Sequence, residues 1–165
     1  DDEVRAVLPP RARPAQWHRL CATLAGLRPG AGTAAGPALR RVTELLRRRG
    51  LVVFISDLLL ESEASLRALQ FLRHRGHQVM VLHLMDQAEV ELGGPAEARF
   101  EDPETRSAVV VRPREWAPAY RAAVETAVAG WRNECGRRGI GYHRVTTDMP
   151  FGVALREVLV RPGLA

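Results

Sequence analysis

Lysine is absent from this chain: all 24 basic residues among its 165 are arginine. The absence excludes a phosphate-binding loop of the Walker type, which places a lysine directly after its glycines. The exclusive use of arginine indicates a bias in the coding sequence rather than a nucleic-acid-binding pattern.

Long apolar runs are missing too, because none approaches the roughly 20 residues that cross a bilayer. The chain does not open with a signal-peptide pattern either. Its two cysteines, Cys21 and Cys135, both lie in apolar helical patterns. This placement predicts two reduced core residues and a cytoplasmic protein.

Positive charge is in excess, with a net charge of +5, but it is unevenly distributed. Residues 1–50 carry ten arginines against four acidic residues, whereas residues 51–111 carry five against ten. The run Arg47–Arg49 precedes Gly50, where it would complement the negative end of a helix dipole. No aromatic residues are interleaved with this run, as single-strand binders would require. We therefore predict no nucleic-acid partner.

Motifs of hydrolytic enzymes are also scarce. The five histidines lack a metal-binding spacing such as His-Glu-x-x-His, and no Gly-x-Ser-x-Gly elbow occurs. Ser56 has no neighbouring base and is a poor nucleophile. His83 lies in an apolar segment and is interpreted as a hydrogen-bonded core histidine.

The most informative segment present is the apolar run Leu51–Ile55, which stops at Ser56 and Asp57. An apolar run without alternation is typical of a central strand covered on both faces, as in a parallel α/β sheet. Ligands and metals bind at the carboxyl ends of such strands. Asp57 is therefore the first candidate site residue.

Alternating strand and helix patterns follow along the chain. The predicted elements are a short strand at 4–8, helices at 14–27 and 37–49, a strand at 51–56, a helix from 62 to about 75, a strand at 78–84, a hairpin within 98–111, a helix at 116–138, a strand at 141–146 and a helix at 151–160. Short links between strands and helices imply right-handed crossovers and a mostly parallel sheet. We predict one domain over residues 1–165 with a Rossmann-like three-layer α/β fold.

Three aspartates, Asp57, Asp86 and Asp148, each follow a predicted strand. Together their carboxylates could hold Mg²⁺ at one edge of the sheet. Asp86 and Asp148 are also typical turn formers and helix caps, and we favour that interpretation for both. In the loop before the second predicted helix, Gly32 and Thr33 suit either a turn with a helix cap or a ligand site.

Several segments together resemble the bacterial family called domain of unknown function 58, a von Willebrand factor A-like group. The segment from Arg47 to Leu59 resembles its signature strand, and Asp1–Pro10 resembles its short edge strand. Further matching segments are Gly30–Thr33 with its Gly-Gly-Thr loop, His74–Asp86 with the next helix and strand, Phe100–Thr105 with its acidic hairpin, and Tyr142–Leu155 with its last strand and helix.

The resemblance implies a metal-ion-dependent adhesion site that binds Mg²⁺ or Mn²⁺. In such a site Thr33 and Asp57 match two of the metal ligands. Gly32, Thr33, Ser56 and Asp57 would contact the partner protein.

The chain departs from the family pattern because it contains no Asp-x-Ser-x-Ser, and Ala34 follows Thr33 where the family often has aspartate. Two ligands hold Mg²⁺ poorly, so we expect very weak metal binding by this chain alone. We also expect the domain to lack its first strands. The Leu51 strand would then be an exposed apolar edge, which favours self-association.

The function that the resemblance implies is that of a non-enzymatic protein-interaction module. Genes of this family often lie beside those of MoxR-type AAA+ ATPases, which implies a role in protein assembly or maturation. The alternative is a metal-dependent phosphoesterase or nuclease that uses Asp57, Asp86 and Asp148.

Overall fold

The computed structural model describes residues 4–28, 35–46, 48–59, 62–101 and 106–160. Over these residues the elements are α1 (Pro14–Gly26), α2 (Ala35–Leu45), β1 (Leu51–Ser56), α3 (Ser62–His74), β2 (Gln78–Met85), α4 (Gln87–Glu91), β3 (Ala98–Glu101), β4 (Ala108–Val111), α5 (Pro113–Arg137), β5 (Gly141–Thr146) and α6 (Phe151–Val160). The predicted sequence of strands and helices is confirmed from α1 onward, and the short helix α4 is an addition to it.

The main sheet has three parallel strands in the order β1-β2-β5. β2 and β5 run in register from Met80 beside Gly141 to Met85 beside Thr146. A separate antiparallel pair joins β3 to β4, which confirms the predicted hairpin. The architecture is thus the predicted Rossmann-like α/β type, because alternating strands and helices build a parallel sheet.

The chain divides into two compact units. The first contains Asp1–Gly50 and Leu59–Gln78, and the second contains Leu51–Leu58 and Val79–Ala165. In the first unit α2 packs against α3. Leu66, Leu69 and Leu72 form the buried face of α3, as their spacing predicts.

Helix α1 corrects a prediction about the core. Its spacing places Trp17, Leu20, Cys21, Leu24 and Leu27 on one side, and we expected that side to be buried. No residue of α1 is buried, and Trp17 is 65% exposed. Periodicity shows that a helix has an apolar side, but it does not show that another described element covers that side.

Two further predictions about the first unit are wrong. Residues 4–8 form no strand, and α2 ends at Leu45 rather than Arg49. Arg48 and Arg49 therefore follow the helix and are not part of its last turn, so they do not complement its dipole as predicted. Arg47 lies outside the described residues.

Among the described strands, β1 lies at an edge of the three-stranded sheet and is not its central strand. Leu51, Val53 and Ile55 are every second residue of the strand and therefore share one face of it. They are 53%, 40% and 57% exposed. The expectation of a strand covered on both faces is therefore wrong for the described chain. The exposed apolar edge that the resemblance implies is present, and self-association through it stays a prediction.

Helix α5 supports the second unit by contacting β5 and α4. Val128 and Cys135, seven positions apart, are buried on it, and Cys135 is thus the core residue that the sequence predicts. On the facing strand, the Arg144 guanidinium lies 2.8 Å from Glu125, and Arg132 lies 5.8 Å from the centre of the Tyr142 ring. These contacts hold α5 against β5.

Candidate functional site

The carboxyl edge of the parallel sheet carries the candidate residues. β1 ends at Ser56 and is followed by Asp57, and β2 ends at Met85 and is followed by Asp86. Because Met85 is in register with Thr146, the ends of β2 and β5 are neighbours. Parallel sheets bind ligands at this edge because all their strands end there.

A tight turn presents Asp57 at this edge. The Ser56 hydroxyl lies 3.4 Å from Asp57 Oδ1, and it accepts a 3.1 Å hydrogen bond from the Leu58 backbone N–H. Leu58 adopts a left-handed backbone with φ of 58°, and its side chain is buried. The turn is therefore anchored by Leu58, while Asp57 itself stays exposed.

His83 connects this turn to the middle of the sheet. Its side chain is buried on β2, and Nδ1 lies 2.6 Å from the Tyr142 hydroxyl. A hydrogen bond with the Asp57 backbone raises the His83 pKa, so a ring N–H donates this hydrogen bond to the Asp57 carbonyl. A neutral imidazole has one donor and one acceptor, so Nδ1 accepts from Tyr142.

Burial decides the protonation state of this pair. It lowers the pKa of His83 from its ordinary value of 6.5 and outweighs the opposing effects of the Asp57 backbone bond and of the Asp57 charge. Burial also raises the pKa of Tyr142 to about 12, so its hydroxyl keeps the proton that it donates. The interpretation of His83 as a hydrogen-bonded core histidine is confirmed.

Asp86 has a structural role at the start of α4. Its Oδ1 accepts a 2.9 Å hydrogen bond from the Ala88 N–H. The Glu89 carboxylate accepts a 2.8 Å hydrogen bond from the Asp86 N–H, which completes a capping box. Oδ2 accepts a 2.7 Å hydrogen bond from the Thr147 hydroxyl. These bonds lower the pKa of Asp86, the Thr147 bond most strongly. The helix-cap interpretation is therefore confirmed.

A family model described as "Protein of unknown function DUF58" matches residues 1–134. The chain belongs to this family. The match ends before β5 and α6, so it covers Asp57 and His83 but not the Tyr142–Leu155 segment of the resemblance. No curated protein and no solved structure gave a significant match.

The predicted metal site of this DUF58 chain is only partly within the described residues. Gly32 and Thr33 lie outside them, and no three His, Cys, Asp or Glu side chains within the described ranges are grouped for a metal ion. Ser56 and Asp57 supply one hydroxyl and one carboxylate. Mg²⁺ requires a near-octahedral set of oxygens, so the described donors do not fit it by themselves.

The third strand-end aspartate differs from Asp57 and Asp86. Asp148 lies exposed in the turn after β5, where the Met149 N–H donates to the Thr146 carbonyl at 3.0 Å. The sequence predicts Asp57, Asp86 and Asp148 as candidates, but it does not predict the connection of Asp57 to Tyr142 through His83 or the bond of Asp86 to Thr147. The signal for the connection to Tyr142 is His83 itself, because a buried polar ring in an apolar strand requires hydrogen-bond partners.

Over the part of the chain that the structure describes, no helix is both long and apolar enough to cross a membrane.

Proposed function

We propose that this DUF58 chain is a non-enzymatic protein-interaction module of the von Willebrand factor A type. It acts with a MoxR-type AAA+ ATPase in the assembly or maturation of protein complexes. Family membership supports the proposal, since the resemblance that implies these properties is to the same family. Thr33 and Asp57 contribute to a partial adhesion site, and metal binding by this chain alone is very weak.

The observation that carries the proposal is the way in which the fold presents Asp57. Its carboxylate is exposed beside the Ser56 hydroxyl, while buried Leu58 and buried His83 hold the backbone at Asp57. A polar group held on a rigid element loses little conformational entropy when it binds. Such a turn suits recognition of a partner's polar surface.

The arrangement of Asp86 does not favour a phosphoesterase or nuclease. Both of its carboxylate oxygens already accept hydrogen bonds, from Ala88 and from Thr147. A metal centre that uses Asp57, Asp86 and Asp148 would have to displace at least one of these bonds and weaken the cap of α4.

The test is a binding experiment with a MoxR-type AAA+ ATPase from the same genome. The tagged chain is immobilised, and the ATPase is added with ATP and Mg²⁺. Saturable retention of the ATPase supports the proposal, with an unrelated AAA+ ATPase as the control. Equal retention of both ATPases, or of neither, contradicts it.

A further inference from the structure

A cavity of about 490 Å³ lies within the first unit, between α2 and α3. One stripe of each helix lines it, because residues three or four apart share a helix face. Its lining consists of Arg40, Thr43, Glu44, Ala64, Arg67, Ala68, Phe71 and Arg75. None of these residues belongs to the Asp57 site.

The apolar part of the cavity is formed on α3. Ala64 and Ala68 are small side chains one turn apart, and Phe71, which is 52% exposed, follows one turn later. An exposed ring beside small side chains leaves an apolar recess. A recess of this kind accepts an apolar or aromatic side chain.

Two guanidinium groups at the cavity have no carboxylate partner among the described residues. Arg75 donates a 2.6 Å hydrogen bond to the Thr43 carbonyl and lies 5.9 Å from the centre of the Phe71 ring. These neutral contacts orient its charge without neutralising it. No described residue hydrogen-bonds or ion-pairs with the Arg40 guanidinium.

The other charges at the cavity are partly balanced. Glu44 pairs with Arg41 at 2.5 Å, and Arg67 pairs with Glu63 at 3.1 Å, with all four side chains largely exposed. Exposed pairs of this kind contribute little free energy, so a ligand can replace them. The lining therefore attracts negative charge, since it has three arginines against one glutamate.

The spacing of these groups defines the ligand. Arg67 and Arg75 are eight positions apart along α3 and its end, which is roughly 12 Å at 1.5 Å per residue. The apolar recess lies between them. An extended peptide advances about 3.3–3.6 Å per residue, so about four residues cover this length.

We propose that the cavity between α2 and α3 binds an acidic peptide segment of a partner protein. An apolar side chain of the segment enters the recess beside Ala68 and Phe71. Carboxylates on either side of it contact Arg75 at one end and Arg40 and Arg67 at the other. Arg–carboxylate hydrogen bonds are charge-assisted, so they orient the bound peptide and also strengthen its binding.

The experiment is a calorimetric titration of the 165-residue chain with an unlabelled peptide, acetyl-Asp-Glu-Leu-Phe-Glu-Asp-amide. We expect saturable binding with a Kd of about 10–100 μM. Replacing Phe with Ser in the peptide should weaken binding at least about fivefold. The absence of saturation up to about 1 mM peptide would overturn the proposal.

Matched variants separate the cavity from general charge attraction. Arg40→Glu should weaken binding at least about tenfold, whereas Arg19→Glu, which makes the same charge change on exposed α1, should change it less than about twofold. Phe71→Ser should also weaken binding, and Trp17→Ser, the corresponding loss of an exposed aromatic on α1, should not. Equal effects of Arg40→Glu and Arg19→Glu would contradict the assignment.

Two further measurements define the ligand class and the site. A single-stranded oligonucleotide that displaces the peptide and binds more tightly would show that the cavity recognises nucleic acid instead, which overturns the proposal. Asp148→Asn, in the exposed turn after β5, should leave peptide affinity unchanged. The peptide titration contains no ATPase, so failure of the ATPase experiment and failure of the peptide experiment are distinguishable.

Discussion

Nδ1 of His83 lies 2.6 Å from the Tyr142 hydroxyl on the neighbouring strand. The same ring donates to the backbone carbonyl of Asp57, so one buried side chain links the end of β1 to β5 through β2. The two hydrogen bonds use both nitrogens of a neutral imidazole. The backbone that presents Asp57 is thus held from within the core of the second unit.

We predict that stability falls as the pH drops below about 6.5, because the fold lowers the pKa of His83. The unfolded state then binds more protons than the folded state. The stabilisation is complete above the unfolded value and is lost as pH falls through the folded value. One such group gives a slope of at most about 1.4 kcal/mol per pH unit.

Urea unfolding between about pH 7.5 and pH 5 measures this slope. Arg144 and Glu89 also act on the His83 pKa, in opposite directions and more weakly than burial. His83→Asn should flatten the dependence, and His74→Asn, on an exposed position of α3, should keep it. Identical slopes in both variants would contradict the assignment to His83.

The two free cysteines should differ in reactivity. Cys135 is fully buried, and burial raises its pKa to about 11, whereas Cys21 is exposed on α1. The thiolate is the reactive species. A disulfide reagent near pH 7.5 should therefore modify Cys21 rapidly and Cys135 only when the protein unfolds. Cys21→Ser should remove the rapid phase, and its persistence in that variant would refute the prediction.

Truncation of a leucine should lower the free energy of unfolding much more on the packed helix α3 than on the exposed helix α1. Leu69 is completely buried, so Leu69→Ala should lower the free energy of unfolding by about 2–5 kcal/mol. Leu24 is 61% exposed, so Leu24→Ala should change it by less than about 0.5 kcal/mol. Comparable losses in denaturant unfolding would show that the apolar side of α1 is packed after all.

Asp86 should act as a helix cap that is also bonded to Thr147. Asp86→Ala removes the acceptors for Ala88 and Thr147, and it should lower Tm by about 2–4 °C. The matched variant Asp148→Ala changes an exposed aspartate in a turn and should leave Tm nearly unchanged. A Tm that is equal for both variants would argue against the capping role.

The sequence predicts most of the strands and the buried faces of α3 and α5, because these features have local signals. The β2 run and the stripe of α5 appear in the structure with the expected burial of Val81, Val128 and Cys135. Helix α4 was missed because its five residues give too short a pattern. Only Asp86 with Glu89 three residues later indicates its start.

The position of an element in the fold is harder to predict than its type. The run Leu51–Ile55 reads as buried on both faces, yet β1 is an edge strand with one side exposed. Local composition does not show which strand lies beside it. The bond from Thr147 to Asp86 spans 61 positions, so no local pattern could indicate it.

We propose that Asp57 contributes to partner binding, and the affinity of a MoxR-type ATPase for matched variants tests this proposal most directly. Asp57→Asn should weaken the complex at least about tenfold, equivalent to about 1.4 kcal/mol. Asp148→Asn, the same change at another exposed aspartate after a strand, should leave the Kd within about twofold. An unchanged Kd for Asp57→Asn, or equal losses in both variants, would contradict the claim.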